Sequence, residues 1–297
     1  MARSMSPLDW LDIAFVLVGA LILAAGLWRW RQRGWPDLLR GSPIRANALS
    51  PLLLWLCLMA YVAGGMLGAL LGFWLVPTSL ADPIRAAWQG VLSATTTQIL
   101  AVAACMMVAR LAFTSGWRGF GLARRGGGSE WAWSLAGWFV ALSLCHCVIW
   151  VTEIVVRHVF PEFEPPDHSV FVTLSAPEVT TGMRILAIAA AALFAPIGEE
   201  LFFRGILQSV AKKLAPRRWG SLRHRWLAIA ISAIAFGLMH WGTPHFIPAL
   251  ICLGVILGYL YEKRGSLFVP IAVHVLFNAK SLLWYHLQIW YGFGAGG

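Results

Sequence analysis

Late in the chain, three short stretches carry ionisable side chains within otherwise apolar sequence. In Glu199-Glu200-Leu201-Phe202-Phe203-Arg204, Glu200 and Arg204 are four residues apart, so on a helix they share a face and can pair, while Glu199 is rotated about 100° away. One carboxylate is thereby neutralised and its neighbour left free. Phe236 and His240 share a face by the same spacing, as do His274 and Asn278. A free carboxylate, two imidazoles and an amide suit the activation of water. Glu199 takes a proton from water, aided by one histidine, while the other histidine and Asn278 donate to a developing oxyanion. Pro196 and Gly198, just before the first stretch, add a kink that can open a cavity, because proline frees a backbone carbonyl one turn earlier.

These residues reach one place only if the helices carrying them cross a membrane together. Of the 297 residues, 59% are hydrophobic and 12% charged, and the mean hydropathy is +0.71. Soluble domains run at roughly 45–50% apolar and about 25% charged, so a soluble enzyme, a disordered chain and a coiled coil are all excluded. The expectation is an all-α polytopic bundle of about eight transmembrane helices, near residues 12–28, 52–76, 91–113, 133–156, 184–211, 226–241, 246–261 and 267–290. The sixth and seventh runs are short for a full crossing. Counted along a helix from the nearest basic residue, Glu199, His240, His274 and Asn278 lie at depths of about 20, 22, 15 and 21 Å. Polar residues from three helices therefore share one layer. An ion at the bilayer centre costs about 2.5–3.5 kcal/mol on insertion scales, so each needs a partner or a task. Lys280, His146 and His286 also sit in apolar runs, and a lone histidine there more often joins helices than catalyses. All five aspartates (Asp9, Asp12, Asp37, Asp82 and Asp167) fall in or beside loops, which leaves no aspartate dyad.

Net charge is +10, from 23 basic and 13 acidic residues. The basic residues flank the apolar runs, so the expected partners are membrane lipids, with no nucleic acid. Seventeen of them fall in the connections after spans one, three, five and seven: Arg29, Arg31, Arg33, Arg40 and Arg45; Arg110, Arg118, Arg124 and Arg125; Lys212, Lys213, Arg217, Arg218, Arg223 and Arg225; Lys263 and Arg264. The other side has four, Arg3, Arg85, Arg157 and Arg184, with the acids Glu162, Glu164, Asp167 and Glu178. Cytoplasmic connections carry the basic excess, so both termini are expected outside, in a plasma-membrane protein. The N-terminal apolar run reads as a first span rather than a cleaved signal, since no small-residue cleavage site follows it. The five cysteines lie in apolar stretches and form no disulfide framework. Cys145, His146 and Cys147 point to different helix faces, which disfavours a metal there.

Taken in order, Glu199-Glu200-x-x-x-Arg204, Phe236-x-x-x-His240 and His274-x-x-x-Asn278 resemble the CPBP family, the type II CAAX prenyl proteases (Rce1-like) and Abi proteins. The resemblance implies an intramembrane endopeptidase acting on a peptide or membrane-protein substrate, whose catalytic core is 184–292, preceded by N-terminal helices, 1–183, without identified motifs. It implies Glu199 as the water-activating glutamate, His240 as its partner, His274 and Asn278 on the oxyanion side, Glu200 with Arg204 as the supporting pair, and no cofactor. A zinc protease using Glu199, His240 and His274 is the chemical alternative, although no His-Glu-x-x-His helix exists. Serine chemistry lacks a Gly-x-Ser-x-Gly elbow. An immunity or scaffold protein whose polar layer only joins helices is the non-catalytic alternative, and a transporter would need a paired inverted repeat that is not evident.

Overall fold

The computed structural model describes residues 5–34, 36–43, 49–122, 127–163, 169–175, 179–215 and 220–290. Among these, Arg3, Arg45, Arg124, Arg125, Glu164, Asp167, Glu178, Arg217 and Arg218 of the charge pattern are not included, nor are 291 and 292 of the expected core. The described residues form helices α1 (Pro7–Gln32), α2 (Pro51–Leu75), α3 (Asp82–Ala112), α4 (Gly127–Val159), α5 (Ser169–Ser175), α6 (Thr181–Leu214), α7 (Gly220–Leu238), α8 (Ile247–Arg264) and α9 (Phe268–Trp290). Local sequence sets their ends. Ser6 and Asp9 close a capping box over α1, with Pro7 in its first turn. Gly265, at φ +64°, ends α8 in a left-handed turn that a side chain would strain.

Seven helices are long and apolar enough to cross a membrane: α1, α2, α3 from Ile84, α4, α6, α8 with the turn from Pro244, and α9 to Gln288. The protein is thus an all-α integral membrane bundle. The run expected at 226–241 is also a helix, α7, but its first turns hold Arg223, His224 and Arg225, which leaves its apolar part short of a full crossing. The short helix α5 was not expected.

The connections after α1, α3, α6 and α8 meet at one end of the bundle, so the short α7 runs back through it between α6 and α8. Glu262 on α8 is buried there, 2.9 Å from Lys212 Nζ and 2.7 Å from Arg225 Nε. Lys263 Nζ donates to the Leu38 carbonyl at 2.7 Å, Lys213 Nζ to that of Leu49 at 2.8 Å, and the Leu267 N–H to that of Gly121 at 2.8 Å. Packing inside the bundle relies on small residues. A Cβ on Gly68 of α2 would stand 2.5 Å from Ser93 Cα on α3, and one on Gly64 2.8 Å from Thr97 Cα. Backbones approach this closely only where side chains are absent, which is how helices associate in lipid. Helix α1 is fixed to α4 by the Ser143 hydroxyl donating to the Val16 carbonyl at 2.5 Å, and to α9 by an ion pair between Asp12 and Lys280. Asp12 therefore lies within a helix and gives Lys280 its partner, while the Lys280 ammonium also rests 4.5 Å from the Trp284 ring centroid.

Candidate functional site

Helix α6 is central, packed against α3, α7, α8 and α9, and it is not a uniform α-helix. Two π-helical stretches, Ala190–Phe194 and Leu201–Gln208, flank the α-helical turn-and-a-half Ala195–Glu200 that carries both glutamates. Such widened turns are rare and concentrate at functional sites. In the first stretch, the Ala195 N–H donates to the Ala190 carbonyl, five residues back. In the same register residue 196 would serve the Ala191 carbonyl, but Pro196 has no N–H. Asn278 Nδ2 on α9 donates to that carbonyl instead, at 3.0 Å. The carbonyl that Pro196 leaves free is thus satisfied from a neighbouring helix.

Glu200 and Arg204 are completely buried and paired, Nη1 to Oε1 at 2.7 Å. Arg204 Nη2 donates to the Gly254 carbonyl on α8 at 3.2 Å, and its guanidinium carbon lies 4.7 Å from the Phe236 ring centroid. Gln208, one turn on, repeats the pattern by donating to the Gly258 carbonyl at 3.2 Å. The Gly254 and Gly258 spacing on α8 thus matches the Arg204 and Gln208 spacing on α6. A Cβ on Gly258 would come within 2.8 Å of Gln208 Oε1, and one on Gly254 within 2.8 Å of Ala233 Cα on α7.

His274 joins the two glutamates. Its Nδ1 is 2.9 Å from Glu200 Oε1, and its Nε2 is 3.7 Å from Glu199 Oε2. The first is a hydrogen bond and the second is too long for one. With the proton on Nδ1 directed at Glu200, the ring presents Nε2 towards Glu199. Phe236 fixes this geometry from the side, edge-on to His274 with centroids 5.5 Å apart and 5.1 Å from His240. His240 Nδ1 lies 2.9 Å from the Phe236 carbonyl, an acceptor, so that nitrogen donates and Nε2 is the ring nitrogen not engaged by it.

Glu199 has a different setting from Glu200. Its side chain is 23% exposed and borders a cavity of about 150 Å³ with His240, Gly198, Phe202, Phe203 and Met239. The facing wall comes from α2 and α3, through Cys57, Tyr61, Gln98 and Ala101. The structure therefore brings together Glu199, Glu200, Arg204, His240 and His274. Asn278 lies one turn beyond, on the Ala191 carbonyl, and does not border the cavity. Sequence reasoning missed Tyr61, Gln98 and the Gly254 and Gly258 contacts; only the glycine spacing offered a signal. His146 and His286 each bond the carbonyl one turn back on their own helix, at 2.7 and 3.0 Å, outside this cluster. Among the described residues, no three His, Cys, Asp or Glu side chains are grouped as a metal site requires, and the five cysteines are free.

Comparison with known proteins adds one family and one relative. Residues 181–280 match the family model described as type II CAAX prenyl endopeptidase Rce1-like. The UPF0177 protein YxdF of Lactococcus lactis subsp. lactis (strain IL1403) is 27% identical over 86 residues, which is 29% of this chain and 42% of that protein. The chain thus spans about two fifths of the curated relative it matches. No solved structure matches. Residues 181–280, the segment that matches the Rce1-like family model, hold every side chain of the glutamate and histidine cluster.

Proposed function

We propose that this protein is an intramembrane endopeptidase that hydrolyses a peptide bond in a membrane-associated or CAAX-like substrate. The observation that carries this reading is the unequal treatment of two adjacent carboxylates. Glu200 is sealed with Arg204 and His274, whereas Glu199 opens on a cavity shared with His240. A water between Glu199 and His240 gives up a proton to the Glu199 carboxylate, and the hydroxide adds to the scissile carbonyl carbon. The C–N bond then breaks as Glu199 returns that proton to the leaving amine, so the carboxylate is regenerated. His274 stabilises charge beside Glu199, and Glu200 with Arg204 holds His274 in place. Asn278 supports this arrangement by bonding the Ala191 carbonyl of α6. Helices α2 and α3, within 1–183, supply the far wall of the cavity, while 184–292 carries the base and the histidines. No cofactor or metal takes part. The protein sits in the plasma membrane with both termini outside and the basic connections in the cytoplasm.

The test is cleavage of internally quenched apolar peptides by purified protein in detergent. Glu199→Gln should leave a folded protein whose rate is lower by roughly 10²-fold or more, the scale of a lost general base. Wild-type rates in that variant would remove Glu199 from the chemistry. Activity lost on chelation and restored by stoichiometric zinc would favour a metal mechanism instead.

A further inference from the structure

A tetrahedral intermediate needs hydrogen-bond donors at its oxyanion, and the amide that sequence spacing offers for this, Asn278, spends one N–H elsewhere and does not border the cavity. Its Nδ2 serves the carbonyl that Pro196 leaves without a donor. The cavity contains another amide. Gln98, near the middle of α3, borders it together with Glu199 and His240. Its position is set by the backbone that carries Glu199, since a Cβ on Gly198 would stand 2.7 Å from Gln98 Oε1 and 3.3 Å from Val102 Cγ2. Gly198 thus leaves room for the amide beside the proposed base. Tyr61 also borders the cavity, but it is 40% exposed on the outer face of α2. A neutral amide suits the task better than a cation would. It donates without pairing permanently to Glu199, and in a site poor in water its dipole need not be reorganised as charge develops.

We infer that Gln98 is a catalytic residue, the side-chain amide that donates a hydrogen bond to the oxyanion formed when water adds to the scissile carbonyl. The inference rests on the endopeptidase reading above. Gly198 then has a positioning role, keeping the residue before the base free of any side chain that would displace the amide.

The experiment uses the full chain in detergent and a panel of internally quenched apolar peptides, with kcat and KM measured separately for wild type, Gln98→Leu, Gln98→Asn, Gly198→Ala and Glu199→Gln. Gln98→Leu keeps the bulk and removes the donors, so kcat should fall by about 10²–10³, the cost of one lost oxyanion donor, with KM nearly unchanged. Gln98→Asn should recover part of that loss. Gly198→Ala touches no donor and favours the helix, so its thermal stability should hold or rise while kcat drops as the amide is displaced. This variant keeps the test decisive even if Gln98→Leu folds poorly. A wild-type kcat in Gln98→Leu with Glu199→Gln inactive would overturn the role of Gln98 and leave the endopeptidase reading intact. A change in KM alone would also overturn it, because the contact would then belong to the bound substrate and not to the transition state. Cleavage that survives Glu199→Gln, or no Glu199-dependent cleavage across the panel, would sink the endopeptidase reading and this inference with it.

Discussion

Replacing Glu200 with glutamine tests the pair at the centre of the bundle. Both partners are fully buried and their nearest atoms are 2.7 Å apart. With charge centres about 4 Å apart and an effective dielectric of about 20, their attraction is about 4 kcal/mol. Removing one partner from such a pair costs about 3–5 kcal/mol, because the other charge is stranded. Glutamine keeps an oxygen at the position of Oε1, so bonds from Arg204 and His274 survive in neutral form and offset about 1 kcal/mol. The net expectation for Glu200→Gln is a loss of about 3 kcal/mol. Arg204→Leu alone should cost at least as much, since it strands a carboxylate. Glu200→Leu combined with Arg204→Leu should cost only about 1–2 kcal/mol. No charge is then stranded, the Gly254 carbonyl keeps its own helical partner, and only His274 Nδ1 loses a bond. Thermal unfolding in detergent across the four proteins reads these differences, and folding must be scored separately from cleavage. If Glu200→Gln unfolds with the parent, the electrostatic reasoning is wrong and Glu200 belongs to the chemistry. If the double variant is less stable than both single ones, the pair stabilises by something other than mutual neutralisation.

Three further outcomes follow from the packing. Asn278→Ala should lose about 1–3 kcal/mol by orphaning the Ala191 carbonyl, and Pro196→Ala should restore much of it by returning an N–H; strictly additive effects in the thermal cycle would refute the link between them. Gly68→Val should destabilise the α2–α3 hairpin by more than the roughly 1–3 kcal/mol of ordinary overpacking, because its first side-chain atom meets Ser93 Cα and not a movable side chain; a variant as resistant to unfolding as wild type would show that α2 shifts freely. For orientation, single cysteines at Leu122 and Glu162, in a chain lacking the native five, should be respectively protected from and open to an impermeant thiol reagent in intact cells, and the reverse pattern would invert the topology.

The span pattern was legible because crossing a bilayer imposes a length and an apolar composition that few other structures share. The pairing of Glu200 with Arg204 was legible for a similar reason, since four-residue spacing survives even though Arg204 falls within a π-helical stretch. The stretch itself was not legible. It depends on partners far away in the chain: Phe120 fills the space over Gly205, where a Cβ would meet its ring at 2.2 Å, and Ser232 donates to the Phe203 carbonyl at 2.9 Å. The contact that Asn278 makes with α6 was hidden on the same ground. Its spacing from His274 shows that the two share a face, but not that the carbonyl of Ala191 would be waiting there. Gln98, which closes the polar run from Thr95, and Tyr61 had no sequence signal, since neither has a spacing that ties it to the glutamate and histidine stretches. The buried knot around Glu262 was also hidden, because a Glu-Lys-Arg helix end reads as a solvated terminus until Lys212 and Arg225 converge on it.

Adjacent identical residues can hold different roles only if the surrounding helices distinguish them, and here the distinction is made on one carboxylate alone. Glu200 Oε1 receives both Arg204 Nη1 and His274 Nδ1, whereas the nearest basic atom to Glu199 among these groups stands off at 3.7 Å. Two carboxylates and one guanidinium share this apolar layer, and the guanidinium is committed to Glu200. Had Glu199 been bonded as tightly as Glu200, it would have been held in one orientation. The gap of 3.7 Å keeps it within electrostatic reach of His274 and free to turn towards a water in the cavity, which a base that must both accept and return a proton requires.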